Sequence, residues 1–471
     1  MFRLNVDGVD QCVFKLIRLT LFALVCISGV QAESSDEFEM LELPAEQPAI
    51  ALDQELAQLR AEIEALKQMQ AASAPIISEQ IFCVHEPPAT RKKFPTARIT
   101  GFFQADAVWF QQDVANEAAV GEIPDGADFR RARLAAVGEA WDNVSYILEM
   151  DFAFPGRPSF MDLWFEIDEV LGNNKLRVGL FRQPFGMEGL TSVKELTFLE
   201  RSLPFAQLPF RQIGVMLHGH RADQLMTWAI SGYRFPTDAF GGSLGHAAGY
   251  GMSSRLTGLL LDNQSSGSLI HLGAAYSYVN PDDEPIQIRS QPEVFVAETG
   301  LGVPSGAASS VPPFVDTGIL SSADANLFSI ELAGSIGSFY TQSEIIYSSI
   351  SRPDEPSLVF PGFYTYAGYF LTGEKRKYNR KGGVFSRVKP KRSVGAERGI
   401  GAWEIAFRWS QLDLNDADVR GGRLNNLTTG LNWYVNPYTK FQWNYIHSIL
   451  DDSTGVESEA DIFAMRAQVD F

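Results

Sequence analysis

The sequence predicts an all-β fold: a 16-stranded antiparallel transmembrane β-barrel with a short N-terminal α-helical coiled-coil segment. Three observations carry this. From Arg98 to Phe471 the chain reads as runs with a two-residue apolar period, separated by turn-forming stretches. The connectors between those runs alternate between short and long, as in a barrel with tight turns at one rim and loops at the other. The most apolar run, LTLFALVCISGV, lies near the N-terminus and is too short to span a bilayer as a helix. A membrane-spanning part must therefore be built from strands.

Composition agrees. Against 57 acidic residues stand 39 basic ones, a net charge of -18, which argues against nucleic acid as a partner. With 33 Phe, 40 Gly and only 20% charged residues, the chain is β-rich in texture. Of three cysteines, Cys12 and Cys26 fall in the first 32 residues, leaving Cys83 alone and without an intrachain disulfide after processing.

In chain order, residues 1–32 read as a signal peptide. Lys15 and Arg18 precede the apolar run, and Val30-Gln31-Ala32 fits the small-x-small cleavage pattern. Residues 33–97 form a periplasmic segment that opens acidic. Its helix, 50–70, places Leu52, Leu56, Leu59, Ile63 and Leu66 on a heptad seam, read as a short oligomerising coil; an amphipathic helix packed on its own chain is the alternative. A proline-containing linker follows. The barrel occupies 98–471, with strands expected near 98–110, 128–141, 143–153, 159–170, 174–182, 212–221, 223–234, 249–261, 268–280, 326–336, 338–351, 358–373, 400–414, 423–436, 439–450 and 460–471.

The clearest strand is GAWEIAFRWSQLDL. There Trp403, Ile405, Phe407 and Trp409 alternate with Ala402, Glu404, Ala406, Arg408 and Ser410, one face for lipid and one for a watery interior. Before it, ten basic side chains fall between Lys375 and Arg398. Connector parity places this basic loop at the periplasmic mouth, together with both ends of the barrel. A solvated turn, or contact with anionic lipid headgroups, is the plainer reading of the same charges. The long connector 183–211 is expected to fold into the lumen by fold analogy with sixteen-stranded barrels, whose loop after strand 5 commonly does so. Phe471 closes an amphipathic strand in the form of a barrel-assembly signal.

The stretches GYFLTGEKRKY (368–378), FSRVKPK (385–391), GAWEIAFRWSQLDL (401–414), TGLNWYVNP (429–437), NKLRVGLFRQPFGMEGLTS (174–192) and FLERSLP (198–204) resemble the phosphate-selective porin O/P family. The resemblance implies a homotrimeric outer-membrane channel with anion preference, whose partners are outer-membrane lipid and small anionic solutes such as phosphate. The chain departs from the family in one respect. The best-known members carry an arginine ladder from the outside, whereas 281–325 has Arg289 among seven acidic residues. A porin for small polar or carbohydrate solutes, or a structural envelope-tethering protein, is the alternative.

Cations on a channel wall offset the desolvation of an entering anion. The candidate solute-binding residues are accordingly Lys375, Lys377, Arg380, Lys381, Arg387, Lys389 and Lys391 in the basic loop. Arg131, Arg133, Arg177, Arg408 and Arg466 are candidates on the wall, and Arg201 in the long connector. Pairing with wall carboxylates is the plainer alternative for the wall arginines. His218 and His220 share a strand face, a spacing that permits metal binding, but no carboxylate or cysteine cluster accompanies them; they read as pore or rim histidines. No cofactor is expected, and no catalytic motif is present.

Overall fold

The computed structural model describes residues 93–471 except 154–157, 239–248, 283, 297–310, 322 and 396–397. Of the first ninety-two residues it describes 58, 60, 61, 64 and 65, which are helical; the leader, the linker and the rest of the coil lie outside the described residues. The chain divides into two units, Met1–Thr90 and Arg91–Phe471.

The second unit is a closed antiparallel barrel of sixteen strands. They are β1 (Arg98–Gln112), β2 (Gly126–Trp141), β3 (Val144–Asp151), β4 (Ser159–Val170), β5 (Asn174–Arg182), β6 (Arg211–His220), β7 (Met226–Arg234), β8 (Tyr250–Asn263) and β9 (Ser268–Asn280). After two short strands, β10 (Arg289–Ser290) and β11 (Val315–Asp316), the barrel continues with β12 (Asp324–Ile336), β13 (Phe339–Ser351) and β14 (Leu358–Phe370). Two more short strands, β15 (Tyr378–Asn379) and β16 (Val384–Phe385), precede β17 (Ala402–Asp416), β18 (Val419–Asn436), β19 (Thr439–Asp451) and β20 (Glu457–Asp470). Closure pairs β1 with β20, and Gly101 and Phe471 exchange both backbone hydrogen bonds at 3.0 Å. The seam leaves no free edge, which a sheet in hydrocarbon requires.

The period-two pattern sorts the side chains as expected. Phe407 and Trp409 are exposed on the outer face of β17, whereas Glu404, Arg408 and Ser410 are buried inside. Differences in strand limits have local causes. β7 begins at Met226 rather than 223 because Arg221–Leu225 forms a turn: Gln224 donates to the Arg221 carbonyl at 2.8 Å with φ +58°, and Arg221 pairs with Asp223. β3 ends at Asp151, whose carboxylate accepts from the amides of Ala132 and Ala153.

The interior departs from a simple water-filled tube. The connector 183–210 and the described part of 281–323 fold inward and pack on the wall formed by β12–β20, and the basic loop brings Val384 and Phe385 in beside them. Residues 183–210 carry a one-turn helix, Met187–Leu190, and two 3-10 turns. Phe198 and Met187 from this insert join Tyr340, Tyr364, Tyr366, Phe370 and Phe385 in one apolar cluster. Residues 281–323 contribute Val294, Val296 and Phe314 to a second cluster with Leu199, Leu203 and Phe360. A backbone laid across a lumen must also satisfy its polar groups. Wall side chains do this. Lys440 Nζ donates to the Leu196 carbonyl at 3.0 Å, Asn432 to Thr197 at 2.8 Å and Arg408 to Glu200 at 2.9 Å; in return Gln207 of the insert donates to the wall carbonyl of Phe360 at 2.8 Å. Met187 and Glu188 donate their amides to the Glu344 carboxylate. Gly430 leaves room for the ring of Phe198, which a Cβ would approach to 3.2 Å.

Candidate solute pathway and its constriction

Among the described residues, two cavities lie along the β2–β8 wall. The first, about 560 Å³, lies toward the long-loop end: Thr237 and Asp238 of the β7–β8 connector and Arg289 line it. The second, about 400 Å³, lies toward the short-turn end, lined by Asn173, His220 and Lys381. They meet at one row of side chains. Asp162 borders the second cavity, and its Oδ1 accepts from Arg211 Nε, which borders the first, at 2.7 Å. Arg182 is the register partner of Arg211 across β5 and β6.

Each cavity contains one carboxylate that gathers three basic side chains. In the first, Glu200 accepts from Arg130 Nε at 3.0 Å, Arg131 Nη2 at 2.8 Å and Arg466 Nη2 at 2.7 Å. Burial would raise the Glu200 carboxyl, but the three guanidiniums outweigh it and hold it well below the usual carboxylate range. In the second, Glu166 accepts from Lys175 at 3.1 Å and Arg177 at 2.6 Å, and lies 2.9 Å from His218 Nε2. Lys175 also meets Asp168 at 2.8 Å, and Arg255 pairs with Glu331 at 2.7 Å behind the lining; counted by the groups that line them, both chambers present more cations than carboxylates. Six arginines face four carboxylates around the first; five lysines and arginines face two around the second.

At the narrowing, Arg182 and Arg201 converge on the carbonyl end of the 187–190 helical turn. Arg182 Nη1 donates to Leu190 and Thr191 at 2.7 and 3.1 Å; Arg201 donates to Glu188 and Thr191 at 3.0 and 2.8 Å. Neither has a carboxylate among its described hydrogen-bond partners. Phe205 and Phe210 flank Arg201, with their ring centroids 4.8 and 5.2 Å from its guanidinium carbon. Burial, then the neighbouring Arg182 and Arg131, push Arg201 well below its ordinary value. Arginine stays protonated regardless, so that direction marks a spot where a negative solute would relieve charge crowding. Glu188 moves the other way: burial raises it over the attraction of Arg408 and the bonds from Ser202.

The cations that the sequence nominates for solute contact divide by place. Arg131, Arg133 and Arg201 border the first cavity, and Arg177 and Lys381 the second. Arg133 also pairs with Asp151 at 2.7 Å. Arg408 and Arg466 border neither. They stand fully buried behind the inserts, Arg408 on Glu293 at 2.6 Å and Arg466 on Asp106 at 2.6 Å and on Glu200, so their charge fastens the 183–210 and 281–323 segments. In the basic loop Arg376, Arg380 and Arg387 are pinned, whereas the lysines remain exposed. Arg380 pairs with Asp262, Arg387 with Glu195 and Asp470, and Arg376 is buried against Tyr340. Lys375 reaches the Ser265 carbonyl at 3.0 Å, while Lys377, Lys389 and Lys391 are exposed. His218 sits on Glu166, and His220 Nδ1 lies 3.0 Å from the Arg221 carbonyl.

The sequence pattern does not single out Arg130, Lys175, Arg182, Arg211 or Arg255. For Arg130 the obstacle is readable. It neighbours Arg131, so strict alternation sends it outward; a bulge opposite Gln104/Ala105 re-aims it inward.

The family model of phosphate-selective porin O and P matches residues 99–471. The chain belongs to that family. Porin O of Pseudomonas aeruginosa is 25% identical over 411 residues, spanning 81% of this chain and 90% of that protein. An uncharacterized protein of Caulobacter vibrioides is 26% identical over 332 residues, spanning 68% and 62% of the two chains. Among solved structures, Pseudomonas putida OprB at high pH superposes with a TM-score of 0.48 at 9% identity, over 80% of this chain and 94% of that one. By its family and its closed sheet, the porin is an outer-membrane β-barrel of a Gram-negative envelope. Its short turns face the periplasm as in such barrels generally.

Proposed function

We propose that this porin passes small anions by diffusion through an off-centre path along β2–β8, with phosphate-like oxyanions as its best-fitting solutes. One observation carries the reading: the chain is net -18, yet both chambers on its open path are lined by more cations than carboxylates. The surplus lies where low-dielectric walls focus the field. The residues proposed to meet the solute are Arg131, Arg133, Arg201, Arg182 and Arg211 at the outer chamber and narrowing, then Lys175, Arg177, Lys381 and Lys375 toward the periplasm. Guanidinium forks suit tetrahedral oxyanions at the narrowing, and lysines suit release. A homotrimer is proposed as its assembly, supported by family membership and by the heptad seam from Leu52 to Leu66.

Chloride current through single channels, measured while inorganic phosphate is added, tests the solute class. Concentration-dependent block supports an oxyanion site at the narrowing. Chloride current indifferent to phosphate would leave an anion channel without one.

A further inference from the structure

The basic loop contains a second group of cations that the pathway does not use. Within 389–400, Lys389, Lys391, Arg392 and Arg398 stand against Glu397 in the sequence. Lys391, Arg392 and Arg398 are exposed. They line neither cavity. The loop instead extends the end of β18, where Val394 donates to the Val435 carbonyl at 2.9 Å, and turns back through Gly399 N to the Ser393 carbonyl at 3.0 Å. Trp433, on the outward face of β18, donates from its indole to the Ile400 carbonyl at 2.9 Å. That bond ties the turn to the lipid side of the wall.

Beneath this turn the outer surface is a plate of rings. Trp403 stacks on Trp433 at 5.4 Å, Trp433 on Phe441 at 5.6 Å and Phe441 on Trp443 at 6.2 Å. Around it Leu371, Val394 and Ile400 are exposed. Lys391 lays its amine against Gly373, just beyond Leu371. Aromatic rings and apolar side chains topped by cations, at the rim of a membrane wall, match the headgroup region of a leaflet.

We propose that this rim binds the headgroup of an anionic phospholipid in the periplasmic leaflet. Lys391, Arg392 and Arg398 meet the phosphate, and Trp403 and Trp433 lie along the glycerol and upper chains. Anionic phospholipid is the occupant favoured over free phosphate because the loop that carries the cations is bonded to an apolar plate through Trp433 and Ile400, and a free ion would leave that plate in contact with water.

The full chain, reconstituted with equal phosphatidylglycerol and phosphatidylcholine and released into the gas phase, tests this by counting retained lipids. The expected result is an excess of phosphatidylglycerol that falls about fivefold for each charge removed and vanishes in Lys391→Gln/Arg392→Gln/Arg398→Gln. Lys391→Arg/Arg392→Lys/Arg398→Lys keeps the excess, and Lys375→Gln, at the inner mouth, leaves it unchanged. Heat-dependent gel mobility verifies that each variant is a folded barrel; should the triple variant misfold, the three single variants carry the test. Equal retention of both lipids by the unaltered protein, or an undiminished excess in the folded neutralised variants, overturns the proposal. So does displacement of the bound lipid by millimolar inorganic phosphate, which would make the rim a free-anion site.

Discussion

Arg182 and Arg201, from a barrel strand and from the inserted connector, donate to one and the same carbonyl, that of Thr191, at 3.1 and 2.8 Å. Two like charges thereby share a point at the narrowing of the path, held by the unpaired carbonyls that end a helical turn. The arrangement is costly unless negative charge visits it. Replacing both with glutamine should lower the anion-to-cation permeability ratio by roughly an order of magnitude, with single-channel conductance still measurable. Reversal potentials of the double variant under a salt gradient check this.

Glu200 balances three arginines, and its removal should be felt in stability before selectivity. Glu200→Gln leaves Arg130, Arg131 and Arg466 without their shared partner and should cost about 3–5 kcal/mol, read as a lower urea midpoint. Because the folded carboxyl is held below its ordinary value, its stabilising charge is fully present above the unfolded pKa of about 4.3. It is lost only as pH falls through the depressed folded value. The unaltered barrel should therefore hold a constant midpoint from pH 8 to about 5 and weaken below about 4, whereas the variant should lack that acid-dependent component.

Glu344 clasps the amides of Met187 and Glu188 to the opposite wall. Glu344→Ala strands two buried donors, at about 1–3 kcal/mol each, and should free the 183–210 segment. Conductance should rise and fluctuate, and protease should cut within 183–210 where the unaltered protein resists.

Lys381 stands exposed at the periplasmic chamber, away from the narrowing. Lys381→Glu should reduce anion current more strongly when anions enter from the periplasmic side, giving a rectifying current-voltage curve. A symmetric loss would place Lys381 off the path.

The barrel is legible in the sequence because its signal is local. The sixteen strands follow from two-residue alternation, and the lipid face of β17 from Phe407 and Trp409 alone. The interior is not, because its partners lie far apart in sequence. Arg408 meets Glu293 and Arg466 meets Asp106, 115 and 360 residues away. Nothing in the local pattern distinguishes an arginine that lines water from one that fastens an insert. Arg130 is hidden by a bulge, a departure from the alternation that makes the strand readable. The basic loop reads in sequence as one field, yet its arginines 376, 380 and 387 are anchors, its first lysines face the inner mouth and its last cations lie on the outer rim.

The central claim is an anion-favouring path in an acidic protein. The most direct measurement is the zero-current potential of the reconstituted porin under a tenfold potassium chloride gradient. The account predicts a potential displaced toward the chloride equilibrium value. Displacement toward the potassium value, or no conductance at all, would contradict it.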